Sequence, residues 1–368
     1  MPERKLVIGT RPSALALWQA RFVLERLEQA ARRLGLPFGF TLKEIRTEGD
    51  LDHTTPLAAF GQRGVFVRAV EQALRRGEVD IAVHSLKDLP VEQPDDLVLA
   101  AYPVRDDARD ALVLAAPGAG RGEPEAPCPG TMACGPASYS SAAEPLERLP
   151  RGARLGTGSP RRIAHLQHWR PDLEFVPIRG NVDTRLRKLK DDGLDAVVLA
   201  AAGLRRLGLW DDRMVPLGPE VCLPAPGQGA LAVEVRKDDE AALDAVRLID
   251  DVRVRLAVAA ERALLLRLGG GCHVPVGALA EWSEQAGEWR IALSASVASP
   301  DGQRLLMAHE NRRFGAASIL VQAGQEDRRG VADPDLIASA ESEARELAED
   351  AAAALLAQGA GELLAAGT

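Results

Sequence analysis

The chain is constrained most by a strand–helix–strand pattern that runs twice through its first 200 residues. The first run begins with the apolar stretch Lys5–Thr10, and a helical pattern follows through Leu15, Trp18, Phe22 and Leu27. The pattern restarts at the stretch ARLGTGS and continues to the apolar stretch DAVVLAA. Strands that alternate with helices are typical of α/β sheets covered by those helices. The sequence therefore predicts two α/β lobes of similar plan.

A third, smaller unit follows the two lobes. A strong helical pattern from Asp251 to Leu268 ends at three glycines, Gly269–Gly271, and strand patterns and an alanine-rich helix from about Asp335 come after it. The predicted domains are lobe 1, residues 1–105 and 230–248; lobe 2, residues 106–229; and a C-terminal α+β domain, residues 250–368. Lobe 2 is interrupted at about 117–150 by a stretch rich in Gly, Pro, Ala and Ser, which predicts a surface loop or a disordered insertion.

Charge is distributed unevenly along the chain. The formal net charge is −8, yet residues 151–190 contain ten Lys and Arg against three Asp and Glu. This basic region is the place to expect an anionic ligand, although a charge run is more often a solvated helix face. A nucleic-acid interface is not favoured, because apolar strand residues break the run and no aromatic residues are interleaved with it.

The spacing of the cysteines and the N-terminal residues indicate the cellular compartment in which the protein is expected. The four cysteines, Cys128, Cys134, Cys222 and Cys272, are scattered, and none forms a C-x-x-C pair. This spacing fits a reducing compartment and predicts no metal site. The N-terminus enters a strand pattern directly, and no apolar run has the length of a membrane span. We therefore expect a cytoplasmic protein without a membrane partner.

Polar residues occupy four corners where a predicted strand passes into a helix: GTRPS, HSLKDLP, GTGSPRR and RGNVDTR. Ligands of open α/β sheets bind outside the carboxyl ends of the strands, and helix N-termini and guanidinium groups both suit anions. A single Ser or Thr before a helix is usually only a cap. Four corners together predict a cationic cleft. Its candidate residues are Arg11, Ser13, Ser85, Lys87, Thr157, Ser159, Arg161, Arg162, Arg179 and Arg185.

Two residues stand apart from these cations. Asp88 is an acid directly after Lys87, and it either neutralises a neighbouring arginine or handles protons and stabilises a cation. Cys272 follows Gly269–Gly271, and a free cysteine is more commonly a small buried apolar residue than a reactive one. The residues alone leave both alternatives open.

Six motifs in order resemble the porphobilinogen deaminase family over almost the whole chain. They are GTRPSALALWQA, AVHSLKDLP, GTGSPRR, RGNVDTRLRKL, LPAPGQGALAVE and GGGCHVPVGA. The resemblance implies two periplasmic-binding-protein-like α/β lobes around a cleft, plus a small α+β C-terminal domain. It also implies a transferase that joins four porphobilinogen molecules head to tail, with loss of ammonia, on a covalently bound dipyrromethane. Water then releases hydroxymethylbilane.

The resemblance also implies roles for particular residues. Cys272 carries the dipyrromethane through a thioether, and Asp88 is the buried catalytic carboxylate beside the pyrrole N–H. The corner residues above, with Arg63 and Gln228, hold cofactor or substrate. Arg63 stands where the family leads us to expect lysine, as does Arg68, so the charge is kept and the donor geometry changes.

One alternative of another class is a non-catalytic two-lobe binding protein for a small polycarboxylate anion. It would explain the cationic corners, but it needs no cysteine on a glycine-rich loop. The expected partner is porphobilinogen, with no nucleic acid, and we expect a monomer.

Overall fold

The computed structural model describes residues 4–46, 65–116, 144–269, 274–285, 288–314 and 334–366. The strands are β1 Arg4–Thr10, β2 Phe38–Glu44, β3 Ile81–Ser85, β4 Leu97–Ala101, β5 Asp110–Leu114, β6 Arg154–Gly156, β7 Glu174–Val176, β8 Ala196–Ala200, β9 Met214–Pro216, β10 Leu231–Arg236, β11 Val276–Gln285, β12 Glu288–Ala298 and β13 Leu305–Arg313. The helices are α1 Ala14–Leu34, α2 Val65–Arg75, α3 Glu144–Glu147, α4 Pro160–Trp169, α5 Val182–Asp191, α6 Ala201–Arg206, α7 Glu240–Arg247, α8 Val252–Arg267, α9 Pro334–Ala357 and α10 Ala360–Ala366. A 3-10 turn, Leu86–Asp88, follows β3.

Lobe 1 is built on a five-stranded sheet in the order β2-β1-β3-β10-β4. Strands β2, β1 and β3 run parallel, and β10 is antiparallel to both of its neighbours. Helix α1 begins at the cap residue Ser13 and ends at Gly35, whose φ of 65° is a left-handed conformation that suits glycine. Its apolar stripe, including Val23 and Leu27, packs on the sheet because those side chains recur at helical spacing.

Lobe 2 repeats this plan with a sheet in the order β7-β6-β8-β5-β9. Strands β7, β6 and β8 are parallel, and β5 is antiparallel to β8 and β9. The chain enters lobe 2 through residues 102–109, the first crossover, and returns to lobe 1 through residues 217–230, the second crossover. Each crossover therefore leads directly into an antiparallel strand of the lobe it enters. The two α/β lobes of similar plan predicted from the sequence are confirmed.

The C-terminal domain is an antiparallel meander, β11-β12-β13, packed against helices. Its core joins alternate residues of the strands, such as Leu293 and Val297, to apolar residues of α8 and α9, such as Leu264 and Leu347. The α+β character expected for this domain is confirmed. The residue boundaries predicted for the three domains stay a prediction.

The loop predicted at about 117–150 ends earlier than expected, because its last residues are part of lobe 2. Residues 117–143 lie outside the described part of the chain, but α3 begins at Glu144. Leu146 and Leu149 are buried in the core of lobe 2, at 1% and 6% exposure. Leu146 lies in α3 and Leu149 in the turn after it, where Leu149 N donates to Leu146 O at 3.2 Å; this short apolar pattern was hidden by the surrounding Gly, Pro and Ala.

One buried carboxylate joins the C-terminal domain to both crossovers. Glu261 of α8 is fully buried, and its Oε1 accepts hydrogen bonds from Arg105 Nη1 at 2.6 Å and from Ala280 N at 2.7 Å. Its Oε2 accepts from Gly227 N at 2.7 Å. Arg105 lies in the first crossover and Gly227 in the second, so this one side chain ties all three domains together.

We predict that Glu261→Gln lowers the free energy of unfolding by about 3 kcal/mol, because it leaves the Arg105 guanidinium without its buried counter-charge. Urea unfolding followed by intrinsic fluorescence measures the change. The matched control is Glu349→Gln, which removes an ion pair with Arg267 that is 52–60% exposed and should cost less than about 1 kcal/mol. Equal losses in the two variants would contradict the linking role of Glu261.

Candidate functional site

The polar corners singled out in the sequence follow strands of the two sheets at their carboxyl ends. Ser85 ends β3 and Thr157 follows β6, while β1 leads to Arg11 and β7 is followed by Arg179. Lys87 of lobe 1 interacts electrostatically with Arg162 of lobe 2, and Asp88 of lobe 1 with Arg185 of lobe 2, so the structure brings these corners of the two lobes close together.

Two of the candidate serines cap helices. Ser13 Oγ accepts from Ala16 N at 3.3 Å at the start of α1, and Ser159 Oγ accepts from Arg162 N at 3.4 Å at the start of α4. Thr157 is buried, and its Oγ1 accepts from Ser159 N at 3.3 Å. These hydroxyls satisfy helix N–H groups and shape the turns. Their contact with a ligand stays a prediction.

Lys87 is connected to lobe 2 through Gln228. Its Nζ donates to Gln228 Oε1 at 3.1 Å, and Gln228 Nε2 donates to Asp110 Oδ1 at 2.9 Å and to Ala108 O at 2.7 Å. Burial, aided by the charge of Arg162, lowers the pKa of Lys87 to about 8. Gln228, which the resemblance assigns to holding cofactor or substrate, forms a polar link between the lobes.

Arg161 and Arg162 are turned inward. Both are 5% exposed and both pair with Asp110, Arg161 Nη2 with Oδ2 at 2.8 Å and Arg162 Nη2 with Oδ1 at 2.7 Å. Arg162 Nη1 also donates to Val198 O at 2.8 Å, and Arg161 Nη1 donates to Leu223 O at 2.5 Å. The two arginines, expected to face bound carboxylates, have protein partners here. Their direct contact with a ligand stays a prediction.

Asp110 balances this pair of buried guanidinium groups. Burial alone would raise its pKa, but the charges of Arg161 and Arg162 and their hydrogen bonds hold the pKa well below the usual range. Cys222 lies in the same cluster, with Sγ 3.3 Å from Arg161 Nη1. Burial raises the pKa of Cys222 to about 12, so this thiol stays protonated. Asp110 fixes the start of α4 to the first strand of lobe 2.

Asp88 differs from the expectation of a buried carboxylate, because its side chain is exposed. Leu86 at the start of the 3-10 turn and Leu89 directly after the turn are both buried, and this arrangement directs Asp88 outward. Asp88 still interacts electrostatically with Lys87 and with Arg185 of α5. It is a carboxylate in a cationic region, open to a ligand.

Arg185 and Arg179 supply cations from lobe 2. Arg185 Nε donates to Gly180 O at 2.8 Å, which holds the guanidinium against the turn before α5. Burial and the nearby charges of Arg162 and Arg179 lower the pKa of Arg185, and Asp88 opposes this shift. Arg179 is exposed. The remaining candidates Arg63 and Cys272 lie outside the described residues.

Sequence reasoning missed several residues that organise the site. Asp110 lacked a motif, and the available signal was an acid opening a buried strand, DALVL. Gln19 of α1 donates to Ser85 Oγ at 2.8 Å and is 3% exposed. A polar residue on the apolar stripe of a helix was the signal for it. Glu261 could have been found in the same way.

Two other kinds of feature, a metal-binding cluster and a membrane-spanning helix, are absent from the described residues. No cluster of three or more His, Cys, Asp or Glu side chains in these ranges could hold a metal ion. Among the helices of the same ranges, none is long and apolar enough to cross a membrane.

Two α/β lobes joined by two crossovers, with cationic residues after the strands of both, define the class of two-lobed α/β proteins. The chain belongs to the porphobilinogen deaminase family. The family model described as porphobilinogen deaminase, dipyromethane cofactor binding domain, matches residues 6–244, and the model of the porphobilinogen deaminase C-terminal domain matches residues 255–325. Membership disfavours the alternative of a non-catalytic binding protein.

Two curated relatives agree with the family models. The porphobilinogen deaminase of Paenibacillus macerans is 41% identical over 349 residues, covering 88% of this chain and 99% of its own. That of Roseiflexus sp. (strain RS-1) is 47% identical over 278 residues, covering 76% and 82%. A solved substrate-binding domain of an amino-acid ABC transporter from Streptococcus pneumoniae is 11% identical with a TM-score of 0.36, covering 72% of this chain and 95% of that one.

His165 connects α4, and thus the paired arginines, to the C-terminal domain. Its Nδ1 lies 2.8 Å from Arg161 O, a carbonyl that can only accept, so Nδ1 carries the proton. Its Nε2 lies 2.8 Å from Ser296 Oγ of β12 and accepts a hydrogen bond from that hydroxyl. Burial, aided by the charge of Arg161, lowers the pKa of His165 to about 4, so the folded protein holds a neutral imidazole.

We predict that His165 makes the protein acid-sensitive. Because its pKa is about 4 when folded and about 6.5 when unfolded, the unfolded chain takes up the proton first as pH falls. Its contribution is intact above pH 6.5 and is lost progressively toward pH 4, by up to about 3 kcal/mol. Urea unfolding at a series of pH values measures this loss.

The variant His165→Gln should flatten the pH dependence of unfolding between pH 6.5 and 4. His309 provides the control, since it is exposed but also lies 3.1 Å from a serine of β12, Ser294. His309→Gln should leave the profile unchanged. An unaltered profile in His165→Gln would contradict the assignment.

Proposed function

We propose that this protein catalyses the porphobilinogen deaminase reaction. Four porphobilinogen molecules are joined head to tail with release of ammonia, on a dipyrromethane covalently bound to Cys272, and water releases hydroxymethylbilane. Membership of the family supports the reaction. The observation that carries the residue assignment is the exposed carboxylate of Asp88 among the cations of both lobes.

The cations suit the charge of the substrate. Each pyrrole carries an acetate and a propionate, so every addition brings two more carboxylates into the cleft. Lys87, Arg11, Arg179 and Arg185 are the anchors we assign, because guanidinium and ammonium groups donate charge-assisted hydrogen bonds to carboxylates. We assign Arg161 and Arg162 a mainly electrostatic role, since Asp110 neutralises one of their two charges.

We assign to Asp88 the role of stabilising the pyrrole ring that reacts. Loss of ammonia leaves a cation that is delocalised over the pyrrole. Arginines alone would repel that cation, and a preorganised carboxylate at the same place stabilises it. Exposure of Asp88 at the end of its turn supports this role, because the oxygens can reach a pyrrole N–H without moving the buried leucines beside it.

The dipyrromethane fits the same region by charge, since its carboxylates would meet Lys87 and Arg185 while Asp88 faces its ring nitrogens. When bound, it supplies the terminal pyrrole carbon to which the first substrate is joined. Cys272 is proposed as the attachment point from its motif. We also propose that the protein acts as a monomer in the cytoplasm, where a chain with scattered cysteines keeps its thiols reduced. Sedimentation velocity tests the monomer.

We predict that Asp88→Asn lowers kcat for porphobilinogen by about 10²–10³-fold, because the side chain keeps its shape and loses its charge. Asp88→Glu keeps the charge and should retain much more activity. Steady-state assays of all three proteins measure the difference. Asp95→Asn removes an exposed charge from the same lobe and serves as the control with unchanged kcat. Equal activity of the Asn and Glu variants would contradict the catalytic role and would mean that Asp88 only pairs with an arginine.

We predict that the intact mass of the purified protein includes one dipyrromethane, and that Cys272→Ser loses it. The thioether needs a thiolate at that position, and serine is a far weaker nucleophile. Cys128→Ser, Cys134→Ser and Cys222→Ser are the controls and should keep the adduct. An adduct that persists on Cys272→Ser places the attachment elsewhere.

A further inference from the structure

Lobes 1 and 2 also contact each other directly through two residues to which the proposed site assigns no role. Arg206, the last residue of α6 in lobe 2, holds its guanidinium carbon 5.6 Å from the centre of the Trp18 ring on α1 in lobe 1. Arg206 is 7% exposed, so the stacked cation is largely withdrawn from water. A guanidinium over an indole face is an attractive pair, and it is strengthened by desolvation.

The same guanidinium also contacts both crossovers. Arg206 Nη2 donates to Gly229 O in the second crossover, and Nε lies 3.7 Å from Asp106 Oδ2 in the first. The two crossovers touch here, since a Cβ on Gly229 would lie 2.4 Å from Asp106 O. Any rotation of one lobe against the other must pass through these segments. Arg206 thus joins the hinge to a face of lobe 1.

Trp18 is supported from the lobe 1 side. Its ring stacks on Phe22 with centroids 5.5 Å apart and an interplanar angle of 13°. One turn away on α6, Gly203 faces α1, because a Cβ there would lie in ordinary contact with Leu15 Cδ2, at 3.7 Å. The indole is therefore held in place, and the contact depends on the distance between α1 and α6.

We propose that Trp18 and Arg206 form a latch that holds the lobes at the spacing suited to a short bound chain and is released as the chain lengthens. The inference rests on the proposed function. Each addition enlarges the contents of the cleft while its walls keep the same residues, and in this proposal the lobes separate to make room. A guanidinium over a ring face can slide along the ring before the two groups separate. The hydrogen bond from Arg206 to Gly229 in the second crossover is kept when the lobes separate. Trp18 and Arg206 are thus positioning residues for elongation.

The test uses the purified, cofactor-loaded protein with limiting porphobilinogen and follows the number of added rings by native mass spectrometry over time. We expect Trp18→Leu to slow the first additions by about 3- to 10-fold, the range that loss of one cation–π contact gives, and the last additions by less than about 2-fold. Trp18→Phe keeps a ring face and should lie between Trp18→Leu and wild type. Trp169→Leu, a change at an exposed tryptophan at the end of α4, should match wild type.

A second pair of variants alters the lobe spacing without touching the latch residues. Gly203→Leu should push α1 away and reproduce the slow early additions, whereas Gly203→Ala makes only ordinary contacts and should behave as wild type. Equal slowing of all four additions in Trp18→Leu, or no slowing in both Trp18→Leu and Gly203→Leu, overturns the latch. A wild-type protein that adds no ring overturns the proposed function, and this inference with it.

Discussion

The pairing of Asp110 with Arg161 and Arg162 is the interaction on which the site depends. Two guanidinium groups at the start of one helix repel each other, and neither could stay 5% exposed without a counter-charge. Asp110 supplies that charge from the first residue of β5, directly after the chain has crossed between lobes. Through Gln228 the same carboxylate reaches Lys87, so cationic groups of both lobes are fixed relative to one another.

The C-terminal domain is fastened to this centre from two sides. Glu261 accepts hydrogen bonds from Arg105 in the first crossover and from Gly227 in the second, and His165 connects α4 to Ser296. The attachment of dipyrromethane that we propose for this domain requires the domain to hold a fixed position relative to the lobes. Buried, fully bonded polar groups suit that purpose, since breaking them is costly and they admit one arrangement only.

The basic region at 151–190 shows why charge counts alone describe a site poorly. Arg161 and Arg162 are paired inside the protein, and Arg170 binds Asp172 at 2.7 Å. Arg179 and Arg185 remain the cations we assign to the ligand. Arg161, Arg162 and Arg170 therefore pair with carboxylates of the protein itself, and the charge count of this region overstates the number of cations that a ligand could meet.

Periodicity and turn residues determined the two lobes, the α+β third domain and the positions of the polar corners, because these signals are local in the chain. The motifs determined the family for the same reason. Only the tertiary structure decided that Arg161 and Arg162 share Asp110, that Asp88 is exposed and that Arg206 lies over Trp18. The paired residues are 51 to 188 residues apart in sequence, and the exposure of Asp88 depends on how its turn buries the neighbouring leucines. Their pairing is set by strand order and by desolvation, which no local pattern records.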